Sequence, residues 1–171
     1  MSKTATKSKT KSAANRPAPK SKTKDIPRVT TGLAPHLTCR DAAAAIEFYK
    51  RAFDAEELMR LPGPDGKLMH AAVRINGAMV MLNDEMPEHG ALSPLALKGT
   101  PVTLHLNVPD VDAAFARAVD AGATVVMPVA NMFWGDRYGI LTDPFGHSWS
   151  LATHQNDMTL DEIKAALGAM G

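Results

Sequence analysis

Cysteine is almost missing from this chain. Cys39 is the only one in 171 residues, so no internal disulfide can form. Its place in the apolar run Leu37-Thr38-Cys39 points to a buried, unreactive thiol rather than a nucleophile. Long apolar runs are absent as well: nothing approaches the roughly 20 residues that span a bilayer, and no signal-peptide core follows Met1. A cytoplasmic protein with no membrane partner is therefore expected. Net charge is scarce in total, +1, yet it is divided unevenly: residues 1–28 hold nine of the 19 Lys and Arg with Asp25 as their one acid, a net +8, and the remainder is −7. A segment so poor in apolar side chains cannot offset the entropy of ordering, and a disordered basic tail over 1–28 is expected. Such a tail either simply aids solubility or makes weak, nonspecific, salt-sensitive contact with a polyanion. It lacks aromatics for base stacking, which favours the first reading.

What the chain does have is an internal echo. Gly146, Asp110, His105 and Gly135 each lie 69 positions after a residue of the same type, at Gly77, Asp41, His36 and Gly66. Each pair sits in a similar setting: an apolar run holding a His, an Asp opening an Ala-rich helix, and a Gly-containing turn. The globular part reads as two copies of one unit of about 70 residues, over 33–83 and 101–154.

Within each copy the periodicity gives the order βαβββ. In the first, Leu33–Cys39 reads as a strand with Ala34, His36 and Thr38 on one face. Asp41 caps a helix over 42–53, and strands follow over 55–61, 67–75 and 78–82. In the second, 102–108 is a strand presenting Thr103, His105 and Asn107 together. Asp110 caps a helix ending near Gly122, and strands follow over 124–129, 137–142 and 147–153. Asp143-Pro144-Phe145-Gly146 is turn chemistry feeding the last strand, on which Trp149 alternates with Ser148 and Ser150 and so belongs in the core. A polar connector over 83–100 joins the copies. Thr159 and Glu162 form a capping box for a helix over 160–170, in a C-terminal segment 159–171 that follows the domain 29–158. The expected fold class is α+β, with two βαβββ repeats forming curved mixed sheets around a cavity.

These motifs resemble the vicinal oxygen chelate superfamily, which includes glyoxalase I, the bleomycin- and fosfomycin-resistance proteins and the extradiol dioxygenases. The resemblance rests on Asp41 with Ile46-Glu47-Phe48-Tyr49, on Val108-Pro109-Asp110-Val111-Asp112 with Gly122-Ala123, and on Asp143-Pro144-Phe145-Gly146-His147. The segments 133–139 and 143–154 are similar to its PhnB-like branch. Metal-dependent members bind a divalent ion through four side chains, and the resemblance puts those positions on Ala34, Met81, Thr103 and Ser150. None is a good ligand for Zn, Ni, Fe or Mn, which take imidazole or carboxylate. No cofactor and no metal are therefore expected, and the function implied is small-molecule binding or sequestration in a central cavity. The alternative is a lyase or dioxygenase using a divalent metal at a shifted site on His36 and His105.

Candidate ligand-binding residues are His36, His70, His105, Trp134, Arg137 and Ser150. Trp134 and Arg137 suit an aromatic or anionic ligand by stacking and bidentate pairing. Read structurally, Arg137 would pair with Asp136 or Asp143, Trp134 would pack on a partner subunit, and His70 would sit on an exposed edge. The resemblance also implies a homodimer.

Overall fold

The computed structural model describes Met1 and residues 32–169, so the expected Lys-rich tail lies, Met1 apart, outside the described residues. The first copy runs β1 (His36–Cys39), α1 (Ala42–Phe53), β2 (Glu56–Pro62), β3 (Leu68–Ile75) and β4 (Ala78–Asp84). After a connector that carries the one-turn helix α2 (Pro94–Leu97), the second runs β5 (Thr103–Asn107), α3 (Val111–Asp120), β6 (Thr124–Asn131), β7 (Asp136–Thr142) and β8 (Ser148–His154). The last element is α4 (Leu160–Gly168).

Both helix starts form as their sequences dictate. The Asp41 carboxylate accepts the Ala44 N–H at 2.8 Å and Asp110 accepts the Ala113 N–H at 3.0 Å, each satisfying one of the donors that a helix N-terminus leaves unpaired. The capping box at Thr159 and Glu162 is closed in both directions. The expected strands are all present. The polar connector over 83–100, for which no element was expected, carries one, with Ser93 capping α2 ahead of Pro94.

The strands make two four-stranded mixed sheets, in the orders β1-β4-β3-β2 and β5-β8-β7-β6. The repeat is visible in their registers. His36 pairs with Met81 and, 69 positions on, His105 pairs with Ser150. The Ala42 N–H donates to Asp84 at 2.7 Å, and 69 positions on the Val111 N–H donates to the Thr153 hydroxyl at 2.8 Å. The offset is not gap-free, however: Ala72 faces Met81 while Ile140 faces Ser150, an offset of 68. The same 68 relates the bulges at Glu57/Met59 and Val125/Met127. The β7–β8 turn is thus one residue longer than the β3–β4 turn, and Gly66 and Gly135 are not strict equivalents.

Helices α1 and α3 pack on each other and cover one face of the sheets. Ile46, Phe48, Tyr49 and Phe53 of α1 are buried, worth roughly 1.5–3 kcal/mol for each fully buried large apolar side chain. Across the seam, Tyr49 and Phe53 meet Trp149 with ring centroids 5.5 and 4.6 Å apart, placing Trp149 in the core as its alternation requires. The centre of the seam is polar. Asp143, 4% exposed, accepts the Tyr49 hydroxyl at 2.7 Å, the Trp149 indole N–H at 3.0 Å, and the backbone N–H groups of Phe145 and His147, both at 2.9 Å. The Asp-Pro-Phe-Gly turn therefore closes a bond between the two copies as well as a hairpin. The sheets do not close into a barrel: on the faces away from the helices, His36, Arg74, Thr103, His105 and Asn107 stay exposed, so the expected enclosure is not completed by these strands. No helix among the described residues is long and apolar enough to cross a membrane.

Candidate functional site

The open face of the second sheet carries a set of hydrogen-bonded and aromatic side chains. Alternation along β5 sends Thr103, His105 and Asn107 outward, and the register puts Ser148, Ser150 and Ala152 of β8 beside them. Tyr138 and Ile140 of β7 follow on the same face, opposite Ala152 and Ser150. His105 Nδ1 lies 2.8 Å from the Ser150 hydroxyl and Nε2 lies 3.2 Å from Asn107 Oδ1. With that amide oxygen toward the ring, Nε2–H donates to Asn107 and Nδ1 accepts from Ser150, which holds the imidazole in one tautomer and one orientation.

From His105 a row of rings leads to the end of the sheet. The His105 and Tyr138 rings stack at 6.1 Å and 19°. Tyr138 meets Trp134 edge-on at 5.6 Å, and Trp134 meets Phe133 edge-on at 5.0 Å. The indole N–H of Trp134 donates to Asp136 Oδ2 at 3.0 Å. The rings meet at 76° and 84° on either side of Trp134, so the row offers separate ring faces and edges rather than one plane, and a flat ligand can stack on a face or pack against an edge.

The open face of the first sheet differs. His36 and His70 meet edge to face with centroids 5.5 Å apart, and partial desolvation of the otherwise exposed ring, then the neighbouring His70, hold the His36 imidazole below its ordinary range. Met79, Met81, Asn83 and Thr38 share this face, and Arg74 is engaged by Glu56 at 2.5 Å.

The structure thus brings His105, Ser150 and Trp134 onto one face and His36 with His70 onto another, and it sets Arg137 apart. Arg137 is opposite in parity to Tyr138 and points to the helix side, where Asp112 of α3 accepts from Nε and Nη2, both at 2.6 Å. Its carboxylate partner is neither Asp136 nor Asp143, and Asp136 instead accepts the indole N–H of Trp134. Asn107 stands beside His105 on β5 as its alternation requires, but Asn107, Tyr138 and Phe133 are not among the candidate ligand-binding residues read from sequence. The signal for Tyr138 was its even spacing from Ile140 along β7.

His36 and His105 make no contact with one another. Of the four positions that the resemblance implies for metal ligands, Thr103 is already hydrogen-bonded to Ser148 at 3.0 Å and Ser150 to His105, while Ala34 and Met81 offer no hard donor. Among the described residues no group of three or more His, Cys, Asp or Glu side chains is placed to hold a metal ion. This donor set does not fit a divalent cation.

Two clefts flank the seam between copies. One, of about 380 Å³, is lined by Phe53, Leu106, Val108 and Arg117; the other, of about 370 Å³, by Leu97, Val102, Leu104, His36 and His147. Behind the second, His147 Nε2 lies 3.7 Å from Cys39 Sγ. Burial pushes the imidazole down and, with Asp143 and Asp84 nearby, pushes the thiol well up. The pair is a protonated thiol beside a desolvated imidazole, not an activated nucleophile.

Comparison with known proteins fits this architecture. Residues 26–151 match the model of the Glyoxalase/Bleomycin resistance protein/Dioxygenase superfamily. An uncharacterised protein of Mycobacterium tuberculosis is 56% identical over 146 residues, spanning 84% of this chain and 86% of that protein. Among solved structures, TioX from Micromonospora sp. ML1 is 28% identical with a TM-score of 0.59, over 72% of this chain and 98% of its own. A PhnB protein from Bacillus cereus shares the fold at 21% identity and a TM-score of 0.57, over 72% and 99% of the two chains. With its paired βαβββ units and this family match, the chain belongs to the glyoxalase/bleomycin resistance protein/dioxygenase superfamily.

Proposed function

We propose that this protein, a PhnB-like member of its superfamily, binds and sequesters a flat organic molecule without a resident metal. The ligand lies against the row formed by His105, Tyr138 and Trp134, with Ser150 and Asn107 fixing the imidazole as a polar edge. That row is the single observation that carries the reading. A second copy of the chain closes the pocket, because these sheet faces are open and a small-molecule site buries most of its ligand. The guanidinium of Arg137 serves the scaffold, which argues for an uncharged ligand over an anionic one. Lyase or dioxygenase chemistry through a metal on His36 and His105 is not favoured: one ring is turned to His70, and the other is held by Ser150 and Asn107.

The test uses the uncharged tricyclic dye 1-aminoanthracene, whose emission rises on leaving water. Tyr138→Ala and Trp134→Ala should each weaken binding at least about tenfold, roughly 1.4 kcal/mol, and Arg137→Ala should leave it unchanged. Metal analysis of the purified protein accompanies the titration. Stoichiometric Zn, Ni or Fe, lost in His105→Ala, would overturn the metal-free reading, and a monomer in sedimentation that binds the dye at full affinity would remove the second copy from the site.

A further inference from the structure

The chain beyond β8 has no role in the site so far, yet it grips the loop that carries Trp134. The Gly135 carbonyl accepts two backbone N–H groups, from Gln155 at 2.9 Å and Asn156 at 3.0 Å. Gly135 has φ +99°, and a Cβ there would run into the Asn156 carbonyl oxygen, so loop and segment are packed backbone to backbone. One residue on, the Asp136 carboxylate is shared. Its Oδ2 accepts from the Trp134 indole at 3.0 Å, and its Oδ1 lies 2.9 Å from His154 Nδ1, while Asp157 meets His154 Nε2 at 3.0 Å. The indole is thereby tied through Asp136 to His154 and through His154 to Asp157.

An exposed ion pair of this kind adds little to global stability. Its geometric effect is larger. Trp134 is half-buried at a sheet end, with ring contacts to Phe133 and Tyr138, so an anchor on its polar edge narrows the orientations open to the ring and favours the edge-on angle to Tyr138.

We infer that Asp136, supported by His154 and the segment 155–157, is the positioning residue for the aromatic wall of the ligand face, so that the chain following β8 determines which flat molecules fit. Asp136 need not touch the ligand; it acts through Trp134. This rests on the reading of the ring row as the ligand site.

Two tryptophans, Trp134 and Trp149, make the experiment simple. Full-length protein carrying 5-fluorotryptophan gives two fluorine resonances, and Trp134→Phe identifies one of them. Asp136→Ala should shift and broaden the Trp134 resonance, leave that of core Trp149 in place, and weaken 1-aminoanthracene about tenfold. His154→Ala, at an exposed position, should move the same resonance in the same direction with about a threefold loss, and Asp136→Asn, which can still accept from the indole, should fall between wild type and Asp136→Ala. A Trp134 resonance unmoved in Asp136→Ala, or moved with no change in dye affinity while Trp134→Ala still weakens binding, overturns the inference. If Trp134→Ala itself leaves dye affinity unchanged, the ring-row reading fails instead, and the resonances alone decide whether Asp136 orients the indole.

Discussion

The sharpest quantitative expectation concerns the bond between copies at Asp143. Tyr49→Phe removes one of four donors to a buried carboxylate and leaves no cavity, since the ring keeps its packing against Phe53 and Trp149. A hydrogen bond to a charged group contributes about 1.5–3 kcal/mol, and the three remaining donors keep the carboxylate satisfied, so the expected loss is about 2 kcal/mol. Burial, then the adjacent Asp143 carboxylate, hold the phenol well above its usual range, so the hydroxyl remains a donor throughout the working pH span. In urea, where unfolding slopes are about 1–3 kcal/mol per M, the midpoint should fall by roughly 1 M. Asp143→Ala is more severe. It strands the Tyr49 hydroxyl and the Trp149 indole in the core and frees two turn N–H groups, a loss of at least about 4 kcal/mol against a total stability of about 5–15 kcal/mol. The decisive measurement is the double-mutant cycle, followed by Trp149 fluorescence. In the Asp143→Ala background, Tyr49→Phe should be neutral or stabilising, because it deletes a hydroxyl that no longer has an acceptor. Equal losses in both backgrounds, or a loss below about 0.5 kcal/mol in the wild type, would refute the argument that this carboxylate ties the copies together.

Three further outcomes follow from particular contacts. Gly135→Ala should lower the thermal midpoint and expose the loop at 131–136 to limited proteolysis, because the left-handed φ and the Asn156 carbonyl both exclude a Cβ; native-like resistance would contradict the packing of the segment after β8. The Glu57 carboxylate is held down to about 2, first by Arg60 and then by Lys50, so its contribution to stability is present above the ordinary carboxylate range and is lost as pH falls toward 2. Stability measured across that acid window should fall less steeply in Glu57→Gln, and an unchanged slope would show the cluster to be too solvated to matter. Cys39 should resist a disulfide reagent in the native protein and titrate as one thiol in denaturant; rapid native reaction would mean that the seam opens far more readily than its burial implies.

Much of the fold was legible from local chemistry. Asp41, Asp110 and the Thr159–Glu162 pair announce helix starts because capping is satisfied within a single turn, and the paired histidines and turns announced a duplication because the two units solve the same packing problem. The one-residue slip between copies was not legible, since glycine turns of slightly different length look alike until a register shows which residues face each other. At the site, alternation placed His105 and Ser150 on one face correctly, because β5 and β8 run without a bulge. It gave no rule for Arg137, whose side depends on where β7 begins, or for its partner Asp112, 25 positions away.

Sequence alone therefore determined what is set by neighbours along the chain: the helix caps, the strand faces and the repeat. Tertiary structure decided what requires two distant segments to meet. It paired Tyr49 with Asp143, turned His36 to His70 rather than to His105, aligned Trp134 with Tyr138, and committed Arg137 to α3. The physical reason is that a hydrogen bond or ring contact is fixed to within fractions of an ångström by packing, whereas periodicity specifies only a direction.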